Sequence, residues 1–165
     1  MERKYKVTND ILASGGQRFI NYIIDIAIIY GVLFILMILL VFITSFFNYP
    51  GFYNWTQNIG NLEGYIVFFS IQIPYHTFLE SYTSRTIAKY ITKTMVVDEY
   101  GAKIALGTAF KRTLCRLIPF DALTFLGGSR GWHDSIPDVY VVKKELFLNN
   151  KTLFNSFEEI GKSQQ

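Results

Sequence analysis

A long apolar stretch without positive charge constrains the fold more than any other feature of this chain. All sixteen Lys and Arg residues lie at or before Arg18, or at or after Arg85. Inside this gap, residues 26–47 carry no charge and are mostly apolar. As a helix this run would be about 33 Å long, enough to cross a bilayer core of ~30 Å. The sequence therefore predicts a membrane-spanning first helix at about residues 18–47.

A second, weaker apolar run predicts another helix at about residues 62–80. Gln72, Pro74 and His76 interrupt it, and Pro74 is expected to kink the helix. The connecting segment 48–63 has no Lys or Arg, whereas both outer flanks are rich in them. Cations gather on the cytoplasmic side of membrane helices. The pattern therefore predicts a helical hairpin with a short outer loop and both termini in the cytoplasm.

The topology of residues 104–126 stays open at this level. The segment is long and apolar enough for a third crossing, but it contains four charged residues, Lys111, Arg112, Arg116 and Asp121. Each charge costs ~2.5–3.5 kcal/mol near the bilayer centre. An amphipathic helix on the cytoplasmic surface, or a re-entrant hairpin bent at Pro119, is therefore favoured over a third crossing.

The rest of the chain predicts a small soluble part. The β-branched segments around Met95–Val97 and Val139–Val142 are expected to pair as strands, with a turn at 98–101. Residues 1–17 form a polar cytoplasmic segment, residues 18–143 the membrane domain, and residues 144–165 a cytoplasmic tail with a short helix around 154–160. The predicted fold class is a mainly α membrane protein: a transmembrane hairpin, an amphipathic or re-entrant third helix, and a small cytoplasmic β-sheet.

Asp25 is the most informative polar residue, since it lies within the first apolar run. Arg18, Asn21, Tyr22 and Asp25 share one helical stripe by their spacing. Ionisable residues inside membrane helices usually face protein or water and mark function. Two interpretations follow: Asp25 binds H⁺ or Na⁺, or it pairs with Arg112 or Arg116 and has a structural role.

Other polar candidates carry weaker signals. His76 and Glu80 are four residues apart, which suits a proton relay or a hydrogen-bonded pair. The string from Arg130 to Asp134 includes His133 and favours a turn after Gly127-Gly128, with Asp134 capping a helix or pairing with an Arg. One His and one Asp are too few for a structural metal site. We predict no catalytic, cofactor-binding or metal site, and no enzyme.

Several of these motifs occur together in one order. They are Gln17-Arg18-Phe19 with Asp25, Met95-Val96-Val97-Asp98 with Gly101, Arg112 and Arg116 followed by Pro119, and Arg130-Gly131-Trp132-His133-Asp134 before Tyr140-Val141-Val142. In these motifs, residues 13–143 resemble the RDD family of small bacterial integral membrane proteins, named for one Arg and two Asp. The resemblance implies that Arg18, Asp25 and Asp134 are the naming residues. It also implies the bacterial cytoplasmic (inner) membrane, and a role in transport, which has been proposed for the family.

The chain departs from the family pattern at a few positions. Where the family commonly has G-x-x-x-G-K after the second helix, this chain has Ser84, Ala88 and Lys89. Lys93 stands at another frequent Gly, and Val139 at a frequent Thr.

Two functions are consistent with these residues. The first is ion or solute transport, with H⁺ or Na⁺ at Asp25. The second is a non-catalytic membrane scaffold or partner subunit, in which one polar cluster is structural: Arg18, Asp25, Arg112, Arg116 and Asp134. The expected partners are the lipid bilayer and either a second copy of the chain or another membrane protein. A net charge of +3, with cations beside membrane segments, favours an anionic leaflet over nucleic acid.

Overall fold

A computed structural model describes residues 4–118, 121–124 and 130–163. The fold is mostly helical with one small sheet. A 3₁₀ turn at Asn9–Ile11 precedes the elements, which in chain order are α1 Gly15–Phe46, α2 Gly51–Asn58, α3 Asn61–Thr83, α4 Ile87–Ile91, β1 Thr94–Asp98, α5 Leu106–Cys115, α6 Asp121–Thr124, α7 Trp132–Ser135, β2 Val139–Lys143 and α8 Lys144–Ser163.

Helix α1 begins at a capping box. The Ser14 hydroxyl accepts a hydrogen bond from the Gln17 amide at 3.2 Å, and the Gln17 side chain accepts one from the Ser14 amide at 3.1 Å. With 32 residues, α1 is about 48 Å long. Among the described residues, it is the one helix that is long and apolar enough to cross a membrane.

The buried side of α1 is polar at its N-terminal end. The buried residues are Arg18, Asn21, Asp25 and Ile29, whose spacing places them on one stripe. Tyr22, expected on the same stripe, is 36% exposed. Large apolar side chains such as Phe34 and Ile35 are exposed, at 67% and 65%. This pattern is the reverse of a helix in a soluble protein, which buries its apolar side.

The hairpin connection is more ordered than predicted. Instead of a loop across 48–63, the chain forms the eight-residue helix α2 before α3 begins. Helix α3 continues through Pro74 and ends at Thr83. Its buried residues are Gln72, His76, Thr77 and Glu80, which again lie on one polar stripe.

The predicted sheet is present. β1 and β2 pair antiparallel, with Val96 opposite Val141 and Val97 opposite Tyr140. Because side chains alternate across a sheet, the two strands contribute to two apolar clusters. One contains Val7, Ile11, Val97, Val142 and Phe147. The other contains Ile104, Ala109, Val96, Val139 and Val141, and packs α5 against the sheet.

Residues 104–126 do not form one continuous helix. Helix α5 has ten residues, about 15 Å or half the thickness of a bilayer core, and α6 has four. Pro119 and residues 125–126 lie outside the described residues. In the tail, α8 covers Lys144–Ser163 and replaces the short helix predicted at 154–160.

Candidate functional site

Asp134 joins α7 to two other helices. Its Oδ2 lies 2.7 Å from Arg18 Nη1 on α1. Its Oδ1 lies 2.6 Å from Arg112 Nη2 on α5. All three side chains are almost completely buried. These residues come together because α7 lies directly before β2 in the chain. The Val141 carbonyl of β2 accepts a hydrogen bond at 2.9 Å from the amide of Ala13, which lies just before α1.

Glu80 on α3 holds the other half of the network. Its carboxylate lies 2.6 Å from Arg112 Nη1, 2.9 Å from Arg116 Nη2 and 3.1 Å from Lys89 Nζ. The side chain of Glu80 is 0% exposed. A buried acid is tolerated when its charge and lone pairs are satisfied in this way. Arg112 therefore bridges both acids and connects α5 to α3 and α7.

The network stays ionised because its charges support one another. Burial by itself raises the pKa of the Asp134 carboxyl, but Arg112 and Arg18 outweigh burial and hold that pKa well below its usual range. Burial lowers the pKa of Arg112, yet Asp134 and Glu80 more than compensate, and the net shift is upward. For Lys89, burial dominates over Glu80 and lowers the pKa of its ammonium.

Asp25 is held in a different way. The hydroxyls of Tyr75 and Thr86 each donate a hydrogen bond to its carboxylate at 2.7 Å, and the Ala88 amide donates a third at 3.3 Å. Asp25 is 2% exposed. Within the described residues it makes no ion pair, because its expected partners Arg112 and Arg116 pair with Glu80 and Asp134 instead. The predicted Asp25–Arg contact is therefore replaced by hydroxyl and amide donors.

The polar stripe of α1 continues beside Asp25. The side-chain NH₂ of Asn21 donates a hydrogen bond to the Thr94 hydroxyl at 3.1 Å. The side-chain oxygen of Asn21 accepts a hydrogen bond from the Thr92 hydroxyl at 2.6 Å. Sequence reasoning missed Tyr75, Thr86, Lys89, Thr92 and Thr94. Hydroxyl residues are common in every class of segment, so their types gave no signal. Lys89 did carry a signal, because it ends the S-x-x-x-A-K run that stands where the family has G-x-x-x-G-K.

A cavity that is partly open to its surroundings lies beside these residues, with about 500 Å³ of space free of protein atoms, open space included. Six of the residues singled out from the sequence line it, namely Arg18, Asp25, His76, Arg112, Arg116 and His133. Glu80 and Asp134 bond directly to lining residues. Three buried atoms among the lining residues have no hydrogen-bond partner in the described part of the chain: Gln72 Oε1, His76 Nδ1 and Arg116 Nη1.

His76 does not form the expected hydrogen bond with Glu80. The Glu80 oxygens accept from Lys89, Arg112 and Arg116. The ring of His76 instead lies edge-on to Tyr75, with 5.0 Å between the ring centroids. Glu80 is therefore a fully paired structural acid, whereas His76 faces the cavity.

The last three residues of the Arg130–Asp134 string lie in the short helix α7, where a turn was expected. The preceding Gly127-Gly128 lies outside the described residues. His133 Nδ1 lies 2.5 Å from Asp121 Oδ2. Burial, aided by Arg116 and Arg112, lowers the pKa of His133 despite the acids beside it. Arg130 donates to the Asp134 carbonyl at 3.1 Å and stacks 4.1 Å over Tyr140. These contacts fix α7 against β2.

Two departures from the family pattern lie at backbone positions that favour glycine. Ser84 and Lys93 adopt φ values of +59° and +54°, in the left-handed region that favours glycine. Ala88 is fully buried, and its amide reaches Asp25. The linker between α3 and β1 therefore keeps a geometry suited to glycine even where this chain has side chains.

Comparison with known proteins identifies the family of this chain. The model of the RDD family matches residues 12–150, which include Arg18, Asp25 and Asp134. No curated protein and no solved structure matches the chain significantly. The family match and the long apolar α1 together indicate a membrane protein. The chain belongs to the RDD family.

Proposed function

We propose that this protein transports H⁺ or Na⁺ across the bacterial cytoplasmic membrane and that Asp25 is the carboxylate that binds the cation. In this proposal α1 and α3 cross the bilayer, and both termini lie in the cytoplasm. The remaining helices and the sheet lie at the cytoplasmic side. The protein is not an enzyme, and its partners are lipids and a second copy of the chain or another membrane protein.

The exposure of α1 and α3 supports the membrane arrangement. Phe34, Phe42 and Phe46 on α1 are 67–77% exposed, and Leu62 and Tyr65 on α3 are 73% and 62% exposed. Water would solvate such surfaces poorly, whereas lipid tails would cover them. The 23 residues of α3 give about 35 Å, which suffices for a crossing.

One observation carries the transport proposal: Asp25 is buried without an ion pair among the described residues, while Glu80 and Asp134 are saturated by cations. The donors to Asp25 are mainly hydroxyls. A hydroxyl can rotate its proton away and offer an oxygen lone pair, and hard cations prefer oxygen ligands. Asp25 can therefore accept a proton or a metal cation without breaking a salt bridge.

The ion-pair network favours a second function for the other charged residues. Ion pairs across four helices link Arg18, Arg112, Arg116, Glu80 and Asp134. This arrangement suits a scaffold role, in which the network holds α5 and α7 onto the membrane helices. The two functions are compatible, because Asp25 forms no ion pair with the described residues of the network. A hydrogen bond of 3.4 Å from Lys89 to Thr86 connects the two groups.

Cation flux in liposomes tests the proposal. Purified protein is reconstituted, and internal pH and Na⁺ are followed after a pH or Na⁺ gradient is imposed. We expect flux from the wild type and none from Asp25→Asn. Asn keeps one oxygen for the neighbouring hydroxyls, so folding should be retained, and thermal unfolding checks this.

Asp10→Asn is the matched control, because Asp10 is an exposed acid in the 3₁₀ turn before α1. Its flux should equal that of the wild type. Absence of flux in the wild type under both gradients, or equal flux in Asp25→Asn, would contradict the transport proposal and leave the scaffold function.

A further inference from the structure

We infer that the cavity beside Asp25 is a binding site for a small monovalent anion, of the class of chloride or a short carboxylate, with Arg116 as its main ligand. The site differs from the cation site in its residues and in the charge of its ligand. It adds an anion to the proposed cation transport but does not depend on that function.

The unpartnered cavity atoms carry this inference. Gln72 and His76 are 6% and 5% exposed, and the Arg116 side chain is 9% exposed, yet each has a buried polar atom without a partner in the described residues. Buried polar atoms are nearly always satisfied, and an unsatisfied charged donor is costly. Three such atoms lining one cavity indicate a ligand.

The chemistry of the three groups selects the ligand. A guanidinium N–H can only donate, and it remains charged. An imidazole nitrogen can donate or accept, and a Gln side chain offers either its NH₂ or its oxygen. The fixed group is therefore Arg116, and the ligand must offer an acceptor to it. An anion makes the stronger, charge-assisted hydrogen bond.

The described acids near the cavity bond to other groups and not to Arg116 Nη1. Glu80 and Asp134 are occupied by Lys89, Arg112 and Arg18. Asp25 already accepts three hydrogen bonds. Asp121 accepts from the His133 amide at 3.0 Å and contacts its ring. Arg116 Nη2 pairs with Glu80 at 2.9 Å, whereas Arg116 Nη1 has no acceptor among the described residues and is left for a ligand.

Asp25 should act on this site through its charge, because it lines the same cavity. Its negative charge disfavours an anion nearby, and neutralising it removes that repulsion. By thermodynamic linkage, a cation at Asp25 and an anion at Arg116 strengthen each other's binding. Asp25→Asn should therefore bind the anion several-fold more tightly.

Anion-dependent thermal stability of the full chain in detergent tests the site. Sodium gluconate is replaced stepwise by sodium chloride or sodium acetate at constant ionic strength. A ligand that binds the folded state raises the melting temperature in a saturable manner. We expect such a rise in the wild type, with an apparent affinity reduced at least about tenfold in Arg116→Gln.

Two further variants keep the test valid if Arg116→Gln fails to fold. Gln72→Leu and His76→Phe remove cavity atoms that lack a partner among the described residues, so folding should persist while anion affinity falls. Lys111→Gln is the control, because it removes an exposed cation from α5 and should leave the affinity unchanged.

Each outcome of the stability experiment either supports or overturns the anion site. A wild type that behaves alike in chloride, acetate and gluconate would overturn the anion site, as would an anion effect that persists in the cavity variants. Loss of the effect in those variants, with its retention in Lys111→Gln, would support it. Cation flux is measured separately, so failure of the transport proposal and failure of the anion site can be distinguished.

Discussion

Arg112 Nη1 lies 2.6 Å from Glu80 Oε2, and both side chains are almost fully buried. This contact joins α5 to α3, and Arg112 extends it to Asp134 on α7. Four charges argued against a third crossing at residues 104–126, and two of them, Arg112 and Arg116, dock α5 against α3. A cation at this place is stable because its acid is supplied by the partner helix.

Removing Glu80 should be strongly destabilising. Glu80→Gln leaves Lys89, Arg112 and Arg116 without their shared acid, and breaking a buried pair in this way costs about 3–5 kcal/mol. The measurement is thermal unfolding in detergent. Glu145→Gln is the control, because the Lys93–Glu145 pair is 74% and 70% exposed and such pairs contribute about 0–1 kcal/mol. Equal effects of the two substitutions would contradict the network.

Arg18 and Asp134 should be energetically coupled. In a double-mutant cycle, Arg18→Gln and Asp134→Asn should show an interaction energy of about 0.5–3 kcal/mol, as expected for residues in direct contact. Arg18→Gln with Asp25→Asn should be additive within about 0.5 kcal/mol, because these residues lie two turns apart on α1 and have different partners. Coupling in the second cycle but not in the first would reverse the assignment of partners.

Glycine substitutions should follow the backbone geometry. Lys93→Gly should stabilise the protein by about 1 kcal/mol, since Lys93 pays for a left-handed φ of +54°. Gly101→Ala should destabilise it, because φ is +69° and a Cβ would approach Phe147 Cε2 to 2.8 Å. Melting temperatures of both variants measure the two effects. A destabilising Lys93→Gly together with a neutral or stabilising Gly101→Ala would show that these two turns do not adopt this geometry.

Acid should destabilise the protein partly through His133. Its pKa is lowered by burial and by Arg116 and Arg112, against the opposing effects of Asp134 and Asp121. Between the folded pKa and the ordinary value of about 6.5, the unfolded chain binds a proton that the folded chain does not. Stability therefore falls as the pH is lowered through about 6.5 towards the folded pKa. His133→Asn should flatten this dependence, and an unchanged slope would refute the assignment.

Much of the fold could be predicted because it rests on local patterns. The uncharged run 26–47 can form little except a long apolar helix, and the alternating β-branched segments around Val96 and Val141 pair as predicted. The helix in the hairpin connection and the length of α8 were missed. Short helices such as α2 depend on local contacts that the apolar pattern does not record.

Most charged members of the candidate site were predictable, but their pairing and the hydroxyl partners of Asp25 were not. Arg18, Arg112 and Asp134 were named from the sequence, and the structure brings them together. Which acid pairs with which cation depends on the rotation of α1, α3 and α5 about their axes. The spacing of residues along one helix cannot give that rotation. The carboxylate of Asp25 therefore binds the hydroxyls of Tyr75 on α3 and Thr86 just before α4, and not the expected Arg.

The most direct test of the account is the protonation and cation response of the Asp25 carboxylate. Infrared difference spectra of the reconstituted protein are recorded between neutral and acid pH, and with Na⁺ added or withheld. If Asp25 binds the cation, the wild type should show a carboxyl signal that changes with H⁺ or Na⁺, and this signal should be missing in Asp25→Asn. Identical difference spectra for the two proteins would contradict the claim that Asp25 is the cation-binding group.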